Sequence, residues 1–144
     1  MLHQNIQPEI IHIDICPREQ FIMITFRTSG TMYTVANIYG HPDTDKAALE
    51  TMTRIHNTLN DIKANPNPKI IIGKDFNTTL EDRDSTVPQP KPREANKLLQ
   101  MITSLDLYDV SALISPIPRH TYYQHFNEHT HSRLDRFYIP EDIT

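Results

Sequence analysis

The 144-residue chain has one cysteine, Cys16. A lone thiol rules out an intramolecular disulfide and leaves no second thiol for a cysteine-built zinc site. Long apolar runs are missing as well, since none approaches the roughly 18 to 20 residues that cross a bilayer as a helix. The N-terminal stretch "MLHQNIQPEIIHIDI" has neither the charged n-region nor the apolar h-region of a signal peptide. These absences predict an intracellular protein, cytoplasmic or nuclear, without a membrane partner. Positive charge is also short: 14 Lys and Arg stand against 18 Asp and Glu, for a net charge of -4. Any phosphate-binding surface must therefore be a local basic patch or a bound metal. The sequence has no internal repeat and no low-complexity tract.

What is present suits one folded domain. The hydrophobic fraction is 38% and mean hydropathy is -0.51, polar for a globular chain but outside the class that cannot build a core. "EIIHIDI", "QFIMITFRTS" and "TMYTVANIYG" read as three consecutive strands, the last two a hairpin turning at Ser29-Gly30. In "HPDTDKAALETMTRIHNTLNDIKAN", Leu49, Met52, Ile55, Leu59 and Ile62 recur at helical spacing behind the capping candidates Asp43, Thr44 and Asp45. Pro66 and Pro68 end that helix. The unbroken Ile70, Ile71 and Ile72 then predict a strand buried on both faces. Residues 81–92 read as a loop, and Leu98, Leu99, Ile102 and Leu105 mark one face of a second helix. A short aromatic strand from Thr121 to Phe126 and a last one in "SRLDRFYIP", with Leu134, Phe137 and Ile139, complete the order. Strands and helices in this order predict an α/β layered sheet of mixed direction with helices over one face, and a need for a second covering layer.

Ligands of α/β sheets gather at strand ends, which brings forward Asn37, Tyr39, Asp75, Asn77, Thr121 and Asp135. On residue type alone five of these have a plainer reading. Asp75 and Asn77 suit a turn, because their side chains bond their own backbone. Asp135 between Arg133 and Arg136 suits a surface ion pair, Tyr39 a half-buried aromatic, and Thr121 strand filler. Arg133 and Arg136, with Lys91, Arg93 and Lys97, read as a solvated face or as phosphate contacts. His120, His125, His129 and His131 lack the Glu or Cys partners of known zinc motifs.

Taken together, "NIYG", "IIIGKDFNTTLEDRDS", "LDLYDV", "HTYY" and "SRLDRFYI" resemble, in order and spacing, the endonuclease/exonuclease/phosphatase superfamily with its DNase I-like fold. The branch they look most like is the endonuclease domain of LINE-type non-LTR retrotransposons. The resemblance runs from about Ile11 to Pro140, and its most specific pieces are G-x-D-F-N after an apolar strand and S-R-L-D-R-F near the C-terminus. It implies cleavage of phosphodiesters, with DNA as substrate, using Mg²⁺. By position, Asp75 matches the water-activating or metal-side aspartate and Asn77 the phosphate-binding asparagine. Tyr39 matches the tyrosine lining the scissile phosphate, and Thr121 a rim position touching the nucleic-acid backbone. Asp135 matches the aspartate that orients a catalytic histidine. Lys74 stands where relatives often carry glycine and would put a cation near a bound phosphate.

The departures are specific. Nothing upstream of "IIHIDICP" supplies the Q-E whose Glu is the principal metal ligand in the family, and no S-D-H follows "FYIPEDIT". The expectation is one partial domain spanning 1–144, truncated at both ends, with weak or absent Mg²⁺ binding and little or no cleavage alone. The alternatives are a non-catalytic remnant that binds nucleic acid or protein, or a phosphatase branch of the same superfamily. Unpaired sheet edges predict self-association.

Overall fold

The computed structural model describes residues 8–16, 21–39, 45–64, 67–75, 79–87, 93–115, 120, 122–123 and 131–143. Six strands form one mixed sheet: β1 Glu9–Ile15, β2 Phe21–Thr28, β3 Thr31–Ile38, β4 Lys69–Asp75, β5 Leu107–Asp109 and β8 Asp135–Pro140. The strand order is β1-β2-β3-β4-β8-β5. β3 and β4 are parallel and every other neighbouring pair is antiparallel. The helices are α1 Asp45–Ala64, α2 Arg93–Ser104 and the short α3 Val110–Ile114. A separate two-stranded ribbon pairs β6 Tyr122–Tyr123 with β7 His131–Ser132. Among the described residues no helix is long and apolar enough to cross a membrane.

The hairpin joins β2 to β3 through two residues, Ser29 at φ 48 and Gly30 at φ 77. Two successive left-handed residues give the turn whose twist matches a two-stranded ribbon. The parallel step from β3 to β4 needs a crossover, and α1 supplies it.

Alternation along the strands divides the sheet into two unlike faces. One face carries Met23, Ala36, Ile38, Ile70, Ile72, Leu107 and Tyr138, and together with Met52, Ile55 and Leu59 of α1 and Ala95, Leu98 and Met101 of α2 they form the buried core. Thr25 and Thr34, directly opposite on that face, bond each other at 2.8 Å, so these buried hydroxyls are satisfied. The other face carries Ile13, Ile15, Ile22, Ile24, Val35, Ile71 and Phe137, all exposed or half-buried.

Three expectations are corrected here. β4 is the inner strand its isoleucines suggested, but Ile71 is half-buried and only Ile70 and Ile72 are in the core, because the helices cover a single face. On α2, Leu99 is exposed; the buried stripe runs Ala95, Leu98, Met101, with Leu105 just beyond the helix. Arg133 and Arg136 are not on a solvated face but are buried, at 3% and 2% exposure. The expected aromatic strand at 121–126 is described only at Tyr122–Tyr123, and the capping candidates Asp43 and Thr44 fall outside the described residues.

Candidate functional site

Three of the singled-out residues meet at one end of the sheet. Asp75 is the last residue of β4 and Asp135 the first of β8, and the antiparallel register sets them directly opposite each other. In parallel β3 and β4, Asn37 pairs with Gly73. Tyr39, two residues past Asn37, therefore comes level with Asp75, two past Gly73. Tyr39 is 43% exposed, Asp75 is half-buried and Asp135 is exposed. Asn77 and Thr121 lie outside the described residues, as does the side chain of Lys74, whose backbone pairs with Arg136.

Gly73 shapes the floor beside the aspartates. It lies opposite Phe137 in the register, and a Cβ there would overlap Cε1 and Cδ1 of the Phe137 ring. The ring thus covers the glycine backbone on the open face, although Phe137 itself remains 60% exposed. A larger residue at position 73 would have to push this ring aside.

Behind the site is a cluster that the sequence did not reveal. Asp84 ends a 3₁₀ turn at Asp82–Asp84 and is fully buried. Its Oδ2 accepts from the backbone N–H of Leu80 at 2.9 Å, of Glu81 at 2.8 Å and from Arg136 Nη2 at 2.9 Å. Its Oδ1 accepts from Arg133 Nε at 2.9 Å. Arg133 also donates through Nη2 to Asp109 Oδ2 at 2.7 Å, and Arg136 Nη2 to the Arg133 carbonyl at 2.7 Å. The backbone joins in, with the Arg133 N–H on the Asp84 carbonyl at 2.7 Å and a bridge between Ser85 and Ser132. Two aspartates and two arginines make a neutral group, as burial requires. Burial alone would raise the Asp84 pKa, but Arg136, the N–H groups of Glu81 and Leu80, and Arg133 outweigh it and hold the carboxyl below its ordinary range. Burial works against the Arg133 charge too, and Asp109 and Asp84 overcome it. Asp84 lies in the charge-rich "EDRDS" and had no distinguishing signal. Asp109 could have been found as the N-cap of α3, where it accepts from the Ser111 N–H at 2.9 Å.

A groove opens at the opposite end of the sheet, lined by Lys63, Lys69, Asp106 and Asp142 among others. Its cations are already engaged, Lys63 with Asp106 at 2.8 Å and Lys69 with Asp142 at 3.1 Å. The aspartate-bearing end holds the residues that the sequence motifs single out.

The fold has close counterparts among solved structures. The endonuclease domain of TRAS1, a telomere-specific non-LTR retrotransposon, superposes with a TM-score of 0.63 at 15% identity, covering 99% of this chain and 59% of that one. The 3′ phosphatase NExo from Neisseria, bound to product DNA hairpin, gives 0.74 at 18% identity, covering 94% and 60%. This chain has the DNase I-like fold. No family model matches the chain. In sequence, an uncharacterized 149 kDa protein of transposon TX1 from Xenopus laevis is 28% identical over 147 residues, 99% of this chain and 11% of that protein. The chain thus spans about a tenth of its curated relative and about three-fifths of these DNase I-like neighbours.

Proposed function

We propose that Tyr39, Asp75 and Asp135 mark the active end of a Mg²⁺-dependent phosphodiester-cleaving domain, a DNA endonuclease of the LINE retrotransposon kind. The observation that carries this reading is the register that sets Asp75 against Asp135 at the strand termini. Directly opposed residues of an antiparallel pair hold their Cβ atoms about 4.5–5.5 Å apart, within reach of one shared ion. Mg²⁺ takes one or two carboxylates and completes its shell with water and substrate phosphate. The two aspartates fit that donor set as two carboxylates; among the described residues, this end of the sheet included, no group of three or more His, Cys, Asp or Glu side chains comes together. A cation held there would act as a Lewis acid toward a phosphoryl oxygen. In this reading Asp75 orients the attacking water, Asn77 holds phosphate oxygens, Tyr39 lines the scissile group, and Thr121 touches the nucleic-acid backbone, whereas the register pairs Lys74 with Arg136 and so puts position 74 on the face opposite Asp75. Asp135, paired with Asp75 on the neighbouring strand, offers the second carboxylate.

Residues 1–144 in this reading are one partial domain, and the chain alone cleaves slowly or not at all. The sequence supplies no Q-E glutamate to anchor the metal and no histidine in S-D-H context, and a single transition-state donor is worth about 10²–10³ in rate. A phosphatase branch of the same superfamily is the second reading, since the neighbours that share the fold include a 3′ phosphatase bound to product DNA hairpin. The apolar open face and the exposed edge strand β1 support self-association. The lone, buried Cys16 suits an intracellular setting, cytoplasmic or nuclear.

The test is titration of a short DNA duplex in Ca²⁺, followed by backbone amide shifts, alongside plasmid nicking in Mg²⁺ or Mn²⁺. Shifts centred on Tyr39, Asp75 and Asp135 that need the cation, with little or no nicking, are expected. Shifts centred on the Lys63–Lys69 groove would overturn the site. Efficient nicking lost in Asp75→Ala would overturn the inactivity of the isolated chain.

A further inference from the structure

We propose that the buried carboxylate of Asp84 is the positioning residue of this site, clamping together the two chain segments that deliver Asp75 and Asp135. This rests on the metal site proposed above and adds the part that holds it in register. Among the described residues the Asp75–Asp135 pair is the last rung of the β4–β8 ladder. Terminal rungs open at low cost in free energy, yet a shared ion needs both carboxylates held in place. Asp84 meets that need from behind. Its Oδ2 binds the N–H groups of Leu80 and Glu81, on the segment that leaves β4 shortly after Asp75. The same carboxylate binds Arg133 and Arg136, which bracket Asp135 on the segment that enters β8.

The cluster is more elaborate than strand pairing requires. Arg136 and Tyr138 occupy successive inward positions of β8, and an apolar residue at 136 would fill that face without an ion partner from the loop. An arginine there instead obliges the strand to meet Asp84, and Asp84 obliges residues 80 and 81 to close over it. Asp109 holds Arg133 from the other side, through β5. The four charges together fix where β8 starts relative to where β4 ends.

The experiment compares Mn²⁺ affinity, by electron paramagnetic resonance of the free ion, in the unsubstituted chain and in Asp84→Asn, Asp109→Asn, Asp75→Ala and Leu98→Ala. Leu98 is a buried α2 residue and serves as a control for lost stability without lost positioning. Substituting groups that support metal-holding side chains typically weakens metal binding by about 10–100-fold. That loss is expected in Asp84→Asn, a smaller one in Asp109→Asn, and none in Leu98→Ala at a temperature where all remain folded by circular dichroism. Asparagine at 109 keeps the α3 cap, so this variant reads the charge alone, and it carries the test if Asp84→Asn does not fold. Unchanged affinity in the folded asparagine variants, or an equal loss in Leu98→Ala, would overturn the positioning role while leaving the site standing. An unsubstituted chain whose Mn²⁺ binding is indifferent to Asp75→Ala would overturn the site and the positioning role with it.

Discussion

Replacing Asp84 by asparagine at neutral pH should cost far more stability than its isosteric shape suggests. The side chain is fully buried, and its loss of charge leaves Arg136, also buried, facing an amide that can offer only one acceptor oxygen. Removing one member of a buried ion cluster typically costs about 3–5 kcal/mol, because the remaining charge stays desolvated. The lower end applies here, since Arg133 keeps Asp109 and Arg136 keeps the Arg133 carbonyl. Against a total stability of about 5–15 kcal/mol this is a large fraction. About 3 kcal/mol corresponds to a drop in Tm of about 6–12 °C for a chain of this size. The comparison is Glu9→Gln, which breaks the 3.2 Å pair to Arg27 with both side chains about half exposed or more. That pair should be worth at most about 1 kcal/mol. Urea and thermal unfolding measured from pH 7 to pH 3 supply the assay. A carboxyl held below its ordinary pKa contributes stability above that ordinary value, near 3.8, and loses it as pH falls through the folded value. The gap between the unsubstituted chain and Asp84→Asn should therefore be full at pH 7 and narrow in acid. A loss at pH 7 no larger than that of Glu9→Gln would refute the buried cluster.

Other outcomes follow from particular groups. His56 sits between α1 and α2; Ser104 Oγ donates to the Met101 carbonyl, so it accepts from His56 Nε2–H at 2.7 Å, and the buried Nδ1 has no partner among the described residues. Burial and the Lys97 charge lower the His56 pKa, so stability should fall as pH drops below 6.5 toward the folded value, and His56→Gln should flatten that slope in unfolding curves taken between pH 7 and 5. Gly73→Ala should destabilise by about 1–3 kcal/mol through overlap with the Phe137 ring, and much less in a Phe137→Ala background; additive losses in the double-mutant cycle would remove the contact. Sedimentation should show concentration-dependent association that Ile13→Lys, on the exposed face of β1, reduces, whereas a monomer at all concentrations would count against association through that edge.

Much of the fold was legible because local and global signals agree. The Ser29-Gly30 turn and the 3.6-residue period of α1 fall where expected, and the isoleucine strand lies inside the sheet but runs on through Gly73 to Asp75. The DNase I-like motifs also led to Asp75 and Asp135, which the register brings face to face. The arginines were not legible, since Asp135 and Arg136 adjoin in sequence but occupy opposite faces of β8. Their partner Asp84 is 49 residues from Arg133 and 52 from Arg136, in a loop whose charges look like solvent-facing ones. Only the three-dimensional closure of the 79–87 segment onto β8 distinguishes Asp84 from Asp82, which is exposed. The amphipathic pattern of α2 misplaced Leu99 because a leucine on the rim of a helix face satisfies the period equally well in or out of contact.

The proposed metal site is tested most directly by mapping Mn²⁺ on the chain through paramagnetic broadening of assigned backbone amide signals. The expected result is saturable broadening that strikes Asp75 and Asp135 first, extends to Tyr39, and disappears in both Asp75→Ala and Asp135→Ala. Broadening that begins instead at Asp106 and Asp142, in the groove at the far end of the sheet, would contradict it, as would broadening that neither substitution changes.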